Sequence, residues 1–508
     1  MNIKNIKTLG ELKKSGYLPR SIKEELRQNL IDKLKRKETA FPGILGYEDS
    51  VIPDVERAIL SKHNILFLGL RGQAKTRMAR QMTELLDEYI PAISGSEIND
   101  DPLNPVSKYA QDMIAAHGDE TPVHWIHRSE RYGEKLATPD VSVADLIGDI
   151  DPIKAANLRL SFADERVIHY GIIPRCNRGI FVINELPDLQ ARIQVALFNI
   201  LEEGDIQIRG FKLRMSLDII FVFTANPEDY TNRGAIVTPL KDRIESQILT
   251  HYPKSLETAL EITEQEAEID EVQKSKIRIS DLVKQLIEQV AFEARASEFV
   301  DKKSGVSARL TISAFENAFS AAELRSIVNQ EKQTQVWISD LIGIIPSITG
   351  KIELVYEGEQ EGPFQVAMNL LDKAIRTRFI QYFPNPEALK KRTKPAAEAK
   401  PKEENPYRPV TAWFDKGNNL NLSFNTTDKG KIALLYQVDG LHALVKKYFS
   451  HANEAEAALL MEFVLHGLAA YSLISKKVFE GKIEFKDLIG SMMNLSNKSY
   501  EEELDEES

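Results

Sequence analysis

Residues 64–80 read NILFLGLRGQAKTRMAR, an apolar run followed by a turn with two glycines and then a helical pattern. Residues 65–68 are all apolar, which is typical of a short buried strand. Gly69 and Gly72 let the backbone turn its N–H groups toward phosphate oxygens, and Lys75 can reach the outer phosphates. The stretch therefore predicts a phosphate-binding loop, with ATP as the expected ligand.

The end of this loop is also the start of the next helix, where the helix dipole favours anions. Thr76 stands there, and its hydroxyl is a predicted ligand of Mg²⁺. The spacing fits G-x-x-x-x-G-K-[ST] except at Ala74, where a glycine is expected. The alternative is a strand, turn and helix that bind no ligand. The predicted nucleotide contacts are Gly69, Arg71, Gly72, Gln73, Ala74, Lys75, Thr76 and Arg77.

Two further apolar runs end in polar side chains. Residues 179–183 are followed by Asn184 and Glu185, and residues 217–224 lead to Asn226. Because ligands of an open parallel sheet bind beyond the carboxyl ends of its strands, we expect these side chains to converge on the nucleotide. Glu185 can then orient and activate the attacking water, and Asn226 can hold that water or sense the γ-phosphate. Taken singly, each residue could equally be a turn former.

The composition is that of an ordinary globular protein. The chain has 508 residues, 43% of them hydrophobic, and is long enough for several domains. Its net charge of −11 argues against a protein built to coat nucleic acid. The single cysteine, Cys176, excludes an internal disulfide and fits a reducing compartment. The N-terminus lacks an apolar signal core, and residues 458–475 carry Glu462 and His466, so we expect a cytoplasmic protein without a membrane span.

The order of these segments resembles the AAA+ ATPases, in particular the helix-2-insertion branch that contains the magnesium chelatase ATPase subunit and the MoxR-like ATPases. The resemblance covers residues 41–327. Residues 41–47 resemble the segment beside the adenine, residues 134–174 the helix-2 insertion, and residues 197–214 the helix and hairpin before the sensor strand. It implies an α/β fold, with a parallel P-loop NTPase sheet between helices on both faces and a small helical lid domain. A mostly helical C-terminal module follows.

The resemblance also implies roles for two arginines. Arg243 matches the arginine finger that acts on the neighbouring subunit, and Arg309 matches the sensor 2 arginine of the lid. For each arginine the alternative is a surface salt bridge. One departure concerns the family's acidic pair, which is here Asn184 and Glu185, so a neutral amide takes the place of a carboxylate in the predicted Mg²⁺ site. Slow turnover is the expected consequence, and Asp188 is a candidate substitute carboxylate.

Shifts in composition divide the chain into six predicted segments. Within them we expect an amphipathic helix over residues 12–37 and a strand over residues 350–358. The segments are an N-terminal helical extension (1–40), the AAA+ α/β nucleotide-binding domain (41–255), the helical lid and its extension (256–389), a linker (390–409), a separate helical C-terminal module (410–495) and an acidic tail (496–508).

Two other features do not decide the function. His124 and His127 would point to opposite faces of a strand, so a structural role is expected for them rather than metal binding. Arg209, Lys212 and Arg214, on the predicted hairpin, could grip nucleic acid or an unfolded chain, or could keep a hairpin edge soluble.

The first functional hypothesis is a homo-oligomeric ring, expected to be a hexamer, that binds and hydrolyses ATP to remodel a partner protein. The resemblance implies a partner that carries a von Willebrand factor A domain. The second hypothesis is a nucleotide-gated scaffold that assembles with ATP and scarcely hydrolyses it, as Asn184 permits. The third is a DNA-directed motor, which the acidic balance disfavours, so nucleic acid is not an expected partner.

Overall fold

The chain forms two compact units, Met1–Tyr252 and Pro253–Ser508. A computed structural model describes residues 6–162, 164–208, 214–227, 235–391 and 405–488. The predicted acidic tail, most of the predicted linker, and the hairpin residues Arg209 and Lys212 lie outside these described residues, as does the side chain of Arg214. In the part of the chain that the structure describes, no helix is both long enough and apolar enough to span a membrane.

The first unit contains one parallel sheet, several two-stranded pairs and mostly short helices. Its strands are β1 (Ile65–Leu68), β2 (Tyr89–Ile93), β3 (Val123–His127), β4 (Tyr132–Leu136), β5 (Gly148–Ile150), β6 (Ile168–Tyr170), β7 (Gly179–Asn184), β8 (Asp205–Gln207), β9 (Arg214–Ser216), β10 (Ile219–Ala225) and β11 (Ser246–Leu249). Its α-helices are Leu9–Lys14, Ile22–Lys35, Val51–Leu60, Lys75–Gln81, Lys108–His117, Val143–Leu146, Pro152–Leu158, Ile172–Arg175, Ala191–Ala196, Phe198–Glu203 and Thr238–Asp242.

The main sheet has the strand order β11-β1-β10-β7-β4, and every neighbouring pair in it is parallel. Its three central strands, β1, β10 and β7, are apolar along almost their whole length because helices cover both faces. Along β7 the side chains alternate, so Phe181 and Ile183 enter one core while Ile180 and Val182 enter the other. The predicted α/β fold with a central parallel sheet is confirmed.

The N-terminal segment forms two helices, Leu9–Lys14 and Ile22–Lys35, where the sequence predicted one, and the second helix packs on this sheet. The break includes Gly16, whose φ of +74° lies in the left-handed region that ends helices. Ile22 and Leu26 of the second helix are buried in the core on its face of the sheet. The N-terminal extension is therefore part of the first unit.

Two pairs of short strands extend from the main sheet. The antiparallel pair β5–β6, with the helix Pro152–Leu158 between its strands, lies between β4 and β7 in the chain, where the helix-2 insertion was predicted. The antiparallel pair β8–β9 precedes β10, where the hairpin before the sensor strand was predicted. His124 is exposed on β3, and no group of three or more His, Cys, Asp or Glu suited to metal binding occurs among the described residues.

The second unit is mainly helical. Its strands are β12 (Ile277–Arg278), β13 (Thr334–Gln335), β14 (Leu420–Ser423), β15 (Ser475–Phe479) and β16 (Lys482–Lys486). Its α-helices are Leu256–Glu266, Glu271–Lys276, Asp281–Ala296, Arg309–Val328, Ile345–Thr349, Tyr356–Glu361, Pro363–Tyr382, Pro386–Lys391, Arg408–Asp415, Asp428–Leu435, Leu441–Tyr448 and Glu454–Ala470.

The C-terminal segment shares one hydrophobic core with the lid, which differs from the separate module that the sequence predicted. The ring of Phe379 lies 6.0 Å from that of Tyr407 and 5.7 Å from that of Phe463, between ring centroids. A Cβ on Gly467 would stand 2.1 Å from the Phe379 ring, so only glycine lets the helix Glu454–Ala470 approach this closely. The charged and proline-rich composition of the linker concealed this packing.

The strand predicted over residues 350–358 is wrong. Leu354 forms an isolated antiparallel bridge with Val300, and a helix, Tyr356–Glu361, begins two residues later. Gly358 lies within that helix, where its Cβ position is 2.5 Å from the backbone oxygen of Phe299. The segment around Leu354 therefore packs a turn against a neighbouring segment, and among the described residues it pairs with no strand in a ladder.

A buried ion pair holds the helix Ile22–Lys35 against the rest of the first unit, and we expect it to contribute to stability. Both terminal guanidinium nitrogens of Arg131 donate to the Glu25 carboxylate at 2.7 Å, and the two side chains are 1% and 5% exposed. Glu25→Ala would leave a buried, unpaired cation. We expect it to lower the free energy of unfolding by about 3–5 kcal/mol, measured by urea unfolding followed by circular dichroism.

Glu24→Ala is the matched control, because it removes the same charge from the same helix. Glu24 is half exposed and pairs with Lys62 at the surface, so only a small change is expected. Equal destabilisation by the two variants would contradict the assignment of stability to the buried pair.

Candidate functional site

The predicted phosphate loop lies between the end of β1 and the helix Lys75–Gln81. The Gly69 N–H donates to the Ala225 carbonyl at 3.1 Å, which ties the loop to the end of β10. Gly72 has a φ of +74°, and Ala74 has a φ of +56° immediately before the helix. A left-handed residue at this position turns the chain into the helix, which explains why a glycine is the expected residue there.

Lys75 is buried within the loop. Its ammonium group donates to the carbonyl of Leu70 at 3.0 Å and to Asn226 Oδ1 at 2.7 Å, and it also contacts the carbonyl of Gly69. The cation thus lies between the loop and the end of β10. The structure brings together Lys75 and Asn226, as the sequence predicted for a shared ligand.

Asn226 also contacts Glu185. Its Nδ2 donates to Glu185 Oε2 at 2.8 Å while its Oδ1 accepts from Lys75, so one amide joins the loop cation to the strand-end carboxylate. Glu185 has a φ of +55°, a left-handed conformation that is uncommon outside glycine, and its N–H donates to Thr224 Oγ1 at 3.2 Å. Strained backbone of this kind is enriched at functional sites.

Asn184 forms the other half of the site. Its Oδ1 accepts from the Thr76 hydroxyl at 3.2 Å and from the Thr224 hydroxyl at 3.0 Å. Its Nδ2 donates to Glu134 Oε1 at 2.6 Å. The two residues predicted for Mg²⁺, Thr76 and Asn184, are therefore in direct contact.

Glu134 is the site residue that sequence reasoning missed. It lies on β4, where the pairing of Leu136 with Asn184 places the strand ends side by side. Arg80 donates to both of its oxygens, at 2.9 and 3.1 Å, and the Tyr132 hydroxyl donates at 2.9 Å. Partial burial opposes ionisation, but these hydrogen bonds hold the pKa of Glu134 below its ordinary value.

The remaining loop residues are held by neighbouring segments. Thr250 donates to Gln73 Oε1 at 2.6 Å, and the Tyr252 hydroxyl donates to the Arg71 carbonyl at 2.9 Å. The Tyr47 hydroxyl donates to the Gln73 carbonyl at 3.1 Å, and burial raises the pKa of Tyr47 to about 12. Arg77 is partly exposed on the first turn of the helix. Segment 41–47 therefore lies against the loop, where a base-binding segment was predicted.

The two predicted arginines lie in different units. Arg243 forms a salt bridge within its own chain, with Nε 2.8 Å and a terminal nitrogen 2.5 Å from Glu202 Oε2, and its guanidinium lies over the Phe198 ring. Arg309 is the first residue of the helix Arg309–Val328 in the second unit, and its N–H donates to Ser307 Oγ at 3.2 Å. The roles given to both remain predictions.

Comparisons with known proteins find partial sequence similarity to a magnesium-chelatase subunit. The chain is 24% identical over 234 residues to the magnesium-chelatase 38 kDa subunit of Cereibacter sphaeroides, and the match covers 45% of this chain and 63% of that protein. The predicted resemblance is confirmed. The same subunit of Rhodobacter capsulatus is 24% identical over 226 residues, with 44% and 59% covered. The chain thus spans less than two thirds of the length of these magnesium-chelatase relatives.

No protein-family model matches the chain. Among solved structures, a magnesium chelatase BchI–BchD complex is 18% identical with a TM-score of 0.31, over 63% of this chain and 98% of that chain. A RuvB structure of Thermotoga maritima is 11% identical with a TM-score of 0.32, over 71% and 75%. Likenesses with TM-scores this low carry no argument about the site.

The left-handed backbone at Ala74 generates a prediction. Ala74→Gly should relieve the clash of the Cβ at positive φ, and this gain exceeds the entropy that glycine adds to the unfolded chain. We expect the free energy of unfolding to rise by about 0.5–1 kcal/mol, measured by urea unfolding. Ala79→Gly, in the interior of the same helix, should instead lower it by at least about 1 kcal/mol, because a buried methyl group is also lost. If both variants were equally destabilised, the strain at Ala74 would be disproved.

Proposed function

We propose that this chain is an AAA+ ATPase that binds ATP with Mg²⁺ at the phosphate loop and the ends of β7 and β10. The observation that carries the proposal is the amide of Asn226, which accepts from Lys75 at 2.7 Å and donates to Glu185 at 2.8 Å. A cation for the outer phosphates, a polar sensor and a carboxylate for water are thus within one hydrogen-bonded chain.

The residues present suit this ligand. The loop N–H groups and Lys75 provide the counter-charge for phosphates, and the Thr76 hydroxyl and Asn184 oxygen are the hard donors that Mg²⁺ takes alongside nucleotide phosphates. ATP, when bound, supplies the phosphoanhydride bond that is hydrolysed. Glu185 would accept a proton from the attacking water while Asn226 holds the carboxylate in place.

The proposed ATPase assembles into a ring and acts on a protein partner. Arg243 acts on the site of the next subunit in a ring, a hexamer by family resemblance, and Arg309 senses nucleotide from the lid. Ile153, Leu158 and Phe162, at and beyond the helix Pro152–Leu158, are 72%, 52% and 59% exposed. Exposed apolar residues on an insertion suit contact with another protein, and by resemblance that partner carries a von Willebrand factor A domain. The cytoplasm is the proposed location.

A second candidate function is the nucleotide-gated scaffold. Asn184 favours it, because the position that contacts Thr76 carries no charge of its own, and weak metal binding would limit hydrolysis more than nucleotide binding. The net charge of −11 disfavours the DNA-directed motor. Two of the hairpin residues that could grip nucleic acid, Arg209 and Lys212, lie outside the described residues.

The first test separates binding from hydrolysis. Lys75→Ala should abolish ATP binding in calorimetry, since a buried phosphate group would lose its main counter-charge. Lys108→Ala, at an exposed ion pair, should leave ATP binding unchanged. Unchanged ATP affinity in Lys75→Ala would overturn the site.

Glu185→Gln should retain ATP binding and slow phosphate release by about two orders of magnitude or more. A parent rate at background that Glu185→Gln leaves unchanged would favour the scaffold.

The second test concerns Arg243. ATP with Mg²⁺ should produce a larger species in light scattering, and Arg243→Ala should diminish it. Glu202→Ala is the control, because it breaks the same salt bridge but keeps the arginine. If Arg243 only stabilises its own chain, the two variants will assemble equally poorly.

Mixing two inactive variants tests whether Arg243 acts between subunits. In rings that contain both Arg243→Ala and Glu185→Gln, some sites have an intact Glu185 and an intact Arg243 from the neighbour. We expect the mixture to regain part of the parent phosphate release. A mixture as inactive as its two components would refute action between subunits.

A further inference from the structure

A carboxylate lies beside the amide that replaces the usual acid. Asn184 Nδ2 donates to Glu134 Oε1 at 2.6 Å, while Asn184 Oδ1 accepts from Thr76 and Thr224. The two threonine hydroxyls orient the amide, so its nitrogen faces β4. A single side chain, that of Asn184, therefore bridges the Thr76 hydroxyl and the Glu134 carboxylate.

The register of the sheet places this charge. Leu136 is paired with Asn184, and Glu134 is two residues earlier on the same strand and so on the same face as Leu136. The Glu134 side chain is 22% exposed and the Asn184 residue 9%, so the charge is only partly screened by water. Arg80 pairs with Glu134 from a position that is 63% exposed, so this ion pair offsets only part of the Glu134 charge.

We propose that Glu134 supplies, from the neighbouring strand, the negative charge that Asn184 lacks, and acts as a positioning residue for the hydrated Mg²⁺ of the bound nucleotide. The inference rests on the proposed function. Mg²⁺ keeps several of its waters when bound to nucleotide, and a nearby carboxylate holds such waters through hydrogen bonds. Asn184 then contributes its amide oxygen. The hydrogen bond that it donates to Glu134 polarises the amide and makes this oxygen more negative.

The alternative is that Glu134 has a structural role only, as the acceptor for Arg80 and Tyr132. The two roles differ in what relocating the charge does. Glu134→Gln combined with Asn184→Asp keeps the net charge of the parent and returns the carboxylate to β7. Only a role toward the metal predicts that this double variant recovers what Glu134→Gln loses.

The experiment measures binding of a fluorescent ATP analogue to the full chain across a Mg²⁺ series. Glu134→Gln should raise the Mg²⁺ concentration at half-maximal binding by about 10–100-fold, the scale for losing a group that orients metal ligands. The double variant should return to within a few-fold of the parent. Arg80→Gln, which unmasks the Glu134 charge, should shift the midpoint to lower Mg²⁺, so the proposal stays testable even if Glu134→Gln does not fold.

Glu84→Gln is the matched control, because it removes a carboxylate that pairs with Arg128 at the surface of the same unit. Its midpoint should equal that of the parent. A parent midpoint in Glu134→Gln, with normal analogue affinity at saturating Mg²⁺, would overturn this inference and leave the proposed function intact. A loss that the double variant does not recover would also overturn it. Failure of the parent to bind the analogue at any Mg²⁺ would instead refute the proposed function.

Discussion

Parallel pairing of β1, β10 and β7 is the constraint on which the candidate site depends. Because the three strands run in one direction, their carboxyl ends meet at one edge, and the residues after them come together although Lys75 is more than a hundred positions from Glu185 and from Asn226. Helices on both faces bury almost all residues of these three strands. Lys75, Asn226 and Glu185 are therefore held by the fold before any ligand arrives.

The same sheet edge shows how one substitution can be absorbed locally. Asn184 takes the place of an acid, yet its amide bridges Thr76 and the carboxylate of Glu134. An amide can do both because it has an acceptor and a donor end, whereas a carboxylate could only accept. The polar network is thus complete, and a second carboxylate beside Glu134 would face it with like charge.

Outside the site, buried charges do much to fix the arrangement of each unit. The ion pair between Arg131 and Glu25 holds the helix Ile22–Lys35 within the first unit. In the second unit Arg325 is 2% exposed and donates to Asp340 at 3.0 Å and to Asp428 at 2.6 Å. The Asp428 contact links the predicted lid to the C-terminal segment, so the two share ion pairs as well as apolar core.

Local sequence patterns predicted the three central strands, the phosphate loop and the polar residues after β7 and β10. These features depend on short-range patterns, namely apolar runs, glycine positions and the polar residues that end strands. The sequence also showed where the family pattern fails, at Ala74 and Asn184. The structure adds that Ala74 adopts a φ of +56°, the left-handed conformation for which glycine is the expected residue.

Contacts between distant parts of the chain could be identified only from the folded structure. Glu134 has no motif, and its contact with Asn184 follows from the register of β4 on β7. Likewise, the sequence did not show that the C-terminal segment packs against the lid. Apolar faces on two segments have the same sequence pattern whether the segments share one core or form two. Pairing register and core sharing arise from contacts between residues far apart in the chain, and local patterns carry no record of them.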